Sequence, residues 1–337
     1  MTVRVGINGF GRTGRTVLRA LLERYPNELS VAAINSPADV KTSAHLFKHD
    51  STYGRFHGSV EALSGSLVVD GRPIAYFSER DPAKVPWEEV GVQMVVESSG
   101  EFTDGPEARK HLRGTVKKVL ISAPSKGEDL TAMLGINEQT YDPAKHAIVS
   151  NASCTTNCVA LMARVLNDAF TIQKGLMATV HAYTNDQRLL DGSHRDLRRA
   201  RSAAANIIPT TTGAARSVGV VVPSLKGKMN GIALRVPVPD GSLMDLVAVL
   251  GRDVTEKEVN EAFRKAAAGH LKGLLDVTDE ELVSSDFVGN PASCTIDLPS
   301  TMVVGGNMVK VLGWYDNEWG YSCRTADLAA YMAGKGL

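Results

Sequence analysis

At 337 residues, the chain has room for two domains of ordinary size, each with its own core. Its 37 Lys and Arg residues balance its 37 Asp and Glu residues, so no global field favours nucleic acid or an anionic membrane as a partner. No apolar run reaches the ~20 residues that span a bilayer, the N-terminus opens on a strand pattern rather than a leader, and the four cysteines are too scattered for a disulfide framework. A reducing cytoplasm is therefore expected.

Val3–Ile7 alternates as a strand, and the residues from Arg15 to Leu22 have helical spacing. Between them Gly9, Gly11 and Gly14 give G-x-G-x-x-G in the strand-to-helix setting that a dinucleotide motif requires. Gly9 allows the tight turn, Gly11 lets a pyrophosphate approach the backbone, and Gly14 lets helix and strand pack closely. The helix N-terminus then faces the phosphate charge. The next strand, Leu29–Ile34, ends in Asn35-Ser36-Pro37, where an NAD-specific unit usually carries an acid for the ribose hydroxyls. Ser36 repels no 2′-phosphate and can donate to one, which hints at NADP; Asn-Ser-Pro is also plain turn chemistry.

Further strands are expected at 66–69, 74–77, 92–97 and 116–122, with Asp70-Gly71 as a hairpin turn. Ser98–Gly100 and Ser122–Pro124 fall where parallel strands should end, which is where ligands collect in open α/β sheets.

The handover near residue 150 reads Ser150-Asn-Ala-Ser-Cys-Thr-Thr-Asn-Cys158, with a helix from Asn157 to Phe170. Cys154 there meets the positive end of a helix dipole and free backbone N–H groups, which favour a thiolate and could hold an oxyanion. A buried structural cysteine before a helix is the plainer reading of position alone. Cys158 is read as a packed second thiol. No Cys/His pair has zinc spacing, so no metal is expected.

The second half carries long strands at 176–183, 231–237, 243–250 and 308–315, patterned as an antiparallel sheet with one face covered. Helices are expected at 213–220, 255–268 and 321–334. The last presents a small, apolar face (Ala326, Leu328, Ala329, Met332) that needs a partner. His181 ends a strand beside Thr184 and could ionise the Cys154 thiol and move protons, although a hydrogen-bonded loop histidine is the favoured reading in isolation. The charged loop 194–201 leads into Ile207–Gly213 with its three threonines, a plausible phosphate cradle. Arg235 interrupts an apolar strand and should have an anionic partner.

Together these residues resemble the phosphorylating glyceraldehyde-3-phosphate dehydrogenase family. The likeness covers the whole chain: Gly6-Ile-Asn-Gly-Phe-Gly-Arg12, Ser150–Asn157, His181–Gln187 and Trp314-Tyr-Asp-Asn-Glu-Trp-Gly-Tyr321. It implies α/β plus α+β architecture, with a Rossmann dinucleotide-binding domain at 1–152, completed by a C-terminal helix at 318–337, and an antiparallel-sheet catalytic domain at 153–317. It implies that Cys154 attacks glyceraldehyde 3-phosphate, that His181 handles the proton, and that inorganic phosphate cleaves the thioester to give 1,3-bisphosphoglycerate. By motif, Arg235 and Thr184 would hold the substrate phosphate. Ser153, Thr155, Thr212, Gly213 and Arg199 would hold the attacking phosphate. Arg12, Thr13, Ser36, Arg80, Ser122 and Asn317 would contact the cofactor. A homotetramer is implied as well.

Two departures from the common glycolytic pattern point one way. Ser36 stands in place of an Asp, and Asp191-Gly-Ser193-His194 stands where NAD-specific members often have a proline before the histidine. A serine there resembles plastid-type and gluconeogenic bacterial members, in which it meets the 2′-phosphate. The expectation is use of NADP, alone or with NAD. The rivals are erythrose-4-phosphate dehydrogenase, which releases its acid to water, and a non-catalytic nucleotide-binding moonlighting protein.

Overall fold

The computed structural model describes residues 2–337, which fall into two compact units. The first comprises residues 2–134, 138–152 and 322–337; the second, residues 135–137 and 153–321.

The first unit is built on a nine-stranded sheet. Its strands are β1 (Val3–Asn8), β2 (Leu29–Asn35), β3 (Val60–Leu63), β4 (Ser66–Val69), β5 (Arg72–Phe77), β6 (Met94–Glu97), β7 (Lys118–Ile121), β8 (Leu130–Thr131) and β9 (Ile148–Ser150). Their spatial order is β8-β9-β7-β6-β1-β2-β5-β4-β3. The run from β8 to β5 is parallel throughout, and only the pairings of β4 with β5 and with β3 are antiparallel. The order reverses at β1, which pairs with β2 on one side and β6 on the other; ligands gather beyond the carboxyl ends of strands at such a switch point. Central strands are buried on both faces: Val5 to Asn8 and all of β6 and β7 are inaccessible, so alternation gives way to continuous burial. The hairpin turn uses Asp70 and Gly71, both at positive φ (50° and 72°), as a two-residue turn demands.

Helix α1 (Arg12–Arg24) begins directly after Gly11, and α2 (Val40–Lys48) is capped by Asp39, whose carboxylate accepts from the Thr42 N–H at 2.8 Å. The C-terminal helix (Trp319–Lys335) joins this unit from Ser322 onward. Its small, apolar face finds the partner it needs: Ala326, Leu328, Ala329 and Met332 are fully buried. Polar bonds set its register, from Ser322 Oγ to Thr16 Oγ1 (2.7 Å), from Asn151 Nδ2 to Thr325 Oγ1 (3.1 Å) and from Arg24 Nε to Asp327 (2.9 Å).

The second unit carries a seven-stranded sheet: β10 (Ile172–Ala182), β11 (Ile208–Thr211), β12 (Met229–Val236), β13 (Ser242–Leu250), β14 (Leu275–Thr278), β15 (Cys294–Val304) and β16 (Met308–Tyr315), in the order β11-β12-β10-β13-β16-β15-β14. The sheet is mixed rather than wholly antiparallel, because β10 with β12 and β14 with β15 run parallel. A parallel pairing needs a crossover, and α4 (Ala214–Val221) provides one on the way from β10 to β12. The threonine-rich segment that follows the charged loop contributes β11, an edge strand that tolerates Pro209. Strand β15 escaped the periodicity reading because Leu298-Pro299-Ser300 interrupts it; the register with β16 shifts there, between Asp297 and Met302. Helices α3 (Cys154–Phe170) and α5 (Glu256–Ala268) lie against this sheet. Among the described residues, no helix is long and apolar enough to cross a membrane.

Candidate active site

The glycine loop of the first unit has the form that backbone-held phosphate needs. Gly9 adopts φ 86°, and a Cβ there would stand 2.4 Å from the Ser99 backbone. A Cβ on Gly14 would stand 2.1 Å from the Gly9 carbonyl oxygen, so helix and loop touch through a missing side chain. Gly11 differs: a Cβ there would meet nothing within 4 Å, because the space beside it is open. That space belongs to a cavity of about 430 Å³, lined by Gly9, Gly11, Arg15, Asn35, Ser36 and Arg80 among others. Open room beside a glycine, at a helix N-terminus, with two arginines on the wall, fits a dinucleotide's phosphates.

Of the expected cofactor residues, Gly9, Gly11, Ser36 and Arg80 come together on this cavity, while Arg12, Thr13, Gly14 and Ser122 stand outside its lining. The Arg12 guanidinium pairs with Asp50 and lies over the Tyr53 ring at 5.1 Å, so its charge is drawn away to an acid that sequence spacing does not reveal. Thr13 stands in the first turn of α1, where backbone N–H groups have no intrahelical partner. The Ser122 hydroxyl donates to the Glu97 carbonyl at 3.0 Å. Ser98 and Ser99, at a strand end where ligands were expected to collect, also line the cavity, as do Arg15 and Asn35, which were not singled out as ligands from the sequence. Asp39, the nearest acid to Ser36 in sequence, spends its carboxylate on the α2 cap.

In the second unit, α3 begins at Cys154 with Ser153 as its N-cap, the Ser153 hydroxyl accepting from the Thr156 N–H at 3.0 Å. Ala152 just before it takes φ 54°, an unusual conformation for alanine that marks the sharp entry to the helix. Cys154 Sγ lies 3.5 Å from His181 Nε2. His181 Nδ1 lies 2.7 Å from the Ala182 carbonyl oxygen. Nδ1 lies between a carbonyl, which only accepts, and the Arg235 guanidinium, which only donates; the tautomer that bonds the carbonyl leaves the Nε2 lone pair facing the sulfur. Arg235 reaches the same place: its Nη1 donates to the Ala182 carbonyl (3.0 Å) and to Thr184 Oγ1 (3.3 Å), and sits 2.9 Å from His181 Nδ1.

Burial and charge act on the Cys154 and His181 pair together. Burial pushes the Cys154 thiol up, and the Arg235 charge and hydrogen bonds from Thr155 pull it only part of the way back. Burial and then the Arg235 charge push the His181 imidazole down to about 3. The resting pair is a neutral thiol facing a neutral imidazole.

Tyr315 completes the wall and was not foreseen. Its buried hydroxyl sits 2.7 Å from Thr179 Oγ1 and 3.2 Å from Thr155 Oγ1, and its ring meets His181 edge-on at 5.9 Å. Asn317 is oriented by Ser242, which donates to Asn317 Oδ1 at 2.6 Å and leaves the NH2 group as the one on offer.

The presumed attacking-phosphate residues are more dispersed in their duties. Ser153 is taken by its cap, and the Thr212 hydroxyl accepts from the Ala214 N–H at 3.2 Å near the start of α4, beside Gly213. Arg199 pairs with Asp186 and bonds Thr210 Oγ1 at 3.0 Å. Ser193 is exposed, its carbonyl accepting from Arg188 at 2.8 Å. Cys158 is fully buried, 3.9 Å from Met162 Sδ.

Comparison with known proteins decides the family. The description "Glyceraldehyde 3-phosphate dehydrogenase, NAD binding domain" matches residues 3–105, and "Glyceraldehyde 3-phosphate dehydrogenase, C-terminal domain" matches residues 153–317. Glyceraldehyde-3-phosphate dehydrogenase 2 of Streptomyces avermitilis is 57% identical over 335 residues, covering 99% of this chain and all of the relative. The chain belongs to the glyceraldehyde 3-phosphate dehydrogenase family. The glyceraldehyde-3-phosphate dehydrogenase of Geobacillus stearothermophilus and glyceraldehyde-3-phosphate dehydrogenase 1 of Bacillus subtilis are each 56% identical over 337 residues, with full coverage of both chains. For a member of this family, the glycine-loop cavity of the first unit and the Cys154/His181/Arg235 cluster of the second are the two places where its chemistry has to be sought.

Proposed function

We propose that this chain oxidises glyceraldehyde 3-phosphate and phosphorylates it to 1,3-bisphosphoglycerate, reversibly, through a thioester on Cys154. The observation that carries the reading is the 3.5 Å approach of His181 Nε2 to Cys154 Sγ, with the opposite ring nitrogen tied to a carbonyl. His181 takes the thiol proton as sulfur bonds to the aldehyde carbon and returns it to the carbonyl-derived oxygen, giving a hemithioacetal and a neutral imidazole. It then takes the hydroxyl proton as the carbon loses hydride and becomes a thioester. Phosphate oxygen attacks that carbonyl, the C–S bond breaks, and sulfur leaves as thiolate.

Arg235 and Thr184 hold the substrate phosphate. Because the Arg235 charge helps depress His181, an anionic substrate paired with Arg235 offsets that effect and makes the imidazole a better base when the aldehyde arrives. Ser153, Thr155, Arg199, Thr212 and Gly213 serve the attacking phosphate.

The nicotinamide dinucleotide, when bound, supplies the hydride acceptor. Gly9, Gly11 and Gly14 with the first turn of α1 (Arg12, Thr13) hold its pyrophosphate, Ser36 and Arg80 its adenosine end, Ser122 and Asn317 its nicotinamide end. We propose NADP, alone or beside NAD, as that cofactor. Ser36 is buried on the cavity wall, Arg80 and Arg15 line it, and Asp39 is committed elsewhere; these favour an added phosphate. Ser193 serves the same phosphate. A homotetramer is proposed too, supported by exposed Leu189, Leu190, Leu197 and Ile207 in the second unit.

Steady-state kinetics with both cofactors, with and without inorganic phosphate, test the reading. Turnover that ignores phosphate points instead to release of the acid to water. Catalytic efficiency with NADP far below that with NAD removes the NADP assignment, and Ser36→Asp should penalise NADP alone. Stoichiometric iodoacetate labelling of Cys154 that leaves activity intact removes the nucleophile.

A further inference from the structure

Beneath the glycine loop runs a buried chain of polar groups that the chemistry above leaves unused. Trp87, His111, Glu97, Asn8 and Asn35 are each at most 4% exposed. Trp87 Nε1 donates to His111 Nδ1 at 3.1 Å. An indole N–H can only donate, so Nδ1 accepts and the ring proton sits on Nε2. His111 Nε2 then donates to Glu97 Oε2 at 3.1 Å. Asn8 Nδ2 donates to the same oxygen at 2.6 Å, which turns Asn8 Oδ1 toward Asn35 Nδ2, its donor at 2.7 Å. Asn35 in turn clasps the backbone of Glu79: Oδ1 accepts from its N–H at 2.9 Å and Nδ2 donates to its carbonyl at 2.8 Å. The other carboxylate oxygen, Glu97 Oε1, accepts from the Ser99 N–H at 2.8 Å and the Ser99 hydroxyl at 2.5 Å.

The Trp87 N–H fixes the His111 tautomer, and the Glu97 carboxylate oxygen, as an acceptor, fixes the orientation of Asn8 and through it Asn35. This hydrogen-bond chain joins three wall segments of the cavity: Asn8 and Gly9 after β1, Ser98 and Ser99 after β6, and Glu79 and Arg80 after β5. Support of a strand end alone would be served as well by apolar side chains, without the cost of burying a carboxylate.

We propose that Glu97 and His111 are positioning residues for the dinucleotide, holding the three wall segments in register through one directional hydrogen-bond chain. The inference rests on the reading of this cavity as the dinucleotide site. Glu97→Gln cannot mimic the carboxylate, because either rotamer aims an NH2 group at two donors.

The experiment measures Tm, kcat and separate KM values for dinucleotide and aldehyde in the full-length wild type, Glu97→Gln, His111→Leu and His111→Gln, with calorimetric binding of NAD and NADP. A purely structural role lowers the folded fraction and hence Tm and kcat, without singling out one KM. The expected result is a rise of about tenfold in the dinucleotide KM for Glu97→Gln. The aldehyde KM should stay within about twofold. His111→Gln, which keeps an N–H donor, should show a smaller rise than His111→Leu, and this pair decides the matter should Glu97→Gln fail to fold. An unchanged dinucleotide KM, both KM values rising together, or equal effects of the two His111 variants would overturn the proposal. Wild-type protein that binds neither dinucleotide would overturn the site itself, whereas tight wild-type binding with unaffected variants overturns only the positioning role.

Discussion

Acidification should destabilise this protein through His181, by an amount the structure sets. Burial and the neighbouring Arg235 guanidinium push the imidazole from its ordinary 6.5 down to about 3. As pH falls, the unfolded chain takes up a proton near pH 6.5, while the native state declines it until about pH 3. The unfolded state therefore binds more protons throughout that window, and stability falls as pH drops through it. The contribution is fully present above the unfolded value, which is the sign proper to a depressed pKa. Integrated from pH 7 to pH 4 at about 1.4 kcal/mol for each tenfold in proton activity, the loss is about 3 kcal/mol. Other groups titrate too, so the assay is a difference. Denaturant midpoints at both pH values, for the wild type and for His181→Asn, should show the wild type losing about 3 kcal/mol more than the variant, whose amide does not titrate. Equal losses would refute the account of burial plus charge. Catalysis gives a second reading of the same quantity. His181→Asn should lower kcat by roughly 10²- to 10⁴-fold as a lost general base. The wild-type profile should lack any inflection near pH 6.5 that disappears in the variant.

Four further variants test the same geometry and charges. Arg235→Gln removes the cation that pulls the Cys154 thiol down, so the pH midpoint for iodoacetamide labelling of Cys154 should rise; a fall would contradict the assigned field. Gly14→Ala sets a methyl group 2.1 Å from the Gly9 carbonyl and should cost about 1–3 kcal/mol in thermal melts. Gly11→Ala meets no protein atom within 4 Å, so it should melt like the wild type and lose only dinucleotide affinity; the reverse ranking would discredit the loop geometry. Tyr315→Phe strips its partners Thr179 and Thr155 of a buried hydroxyl and should destabilise by about 1–3 kcal/mol, checked by urea unfolding.

What the chain alone determined about this protein is local and periodic. Three glycines spaced between a strand and a helix, a cysteine at a helix start, and a histidine at a strand end are set by nearest neighbours along the sequence, and so is the Asp70-Gly71 turn. The apolar stripe of the last helix also announced that something must cover it. Tertiary structure decided the matters that depend on burial and on residues far apart in sequence. Burial pushes the thiol of Cys154 up and the Arg235 charge pulls it back, and neither can be read from sequence position. Arg12 turns to Asp50, and Tyr315 reaches Thr155 and Thr179, through contacts between residues 38 to 160 positions apart. The parallel pairings of β12 and β14 depend on crossovers that periodicity cannot register, because alternation reports which face is wet and not which way the neighbour runs. Spacing along the chain encodes what one residue can do with its close neighbours, whereas solvent exclusion and long-range pairing set how strongly it does it.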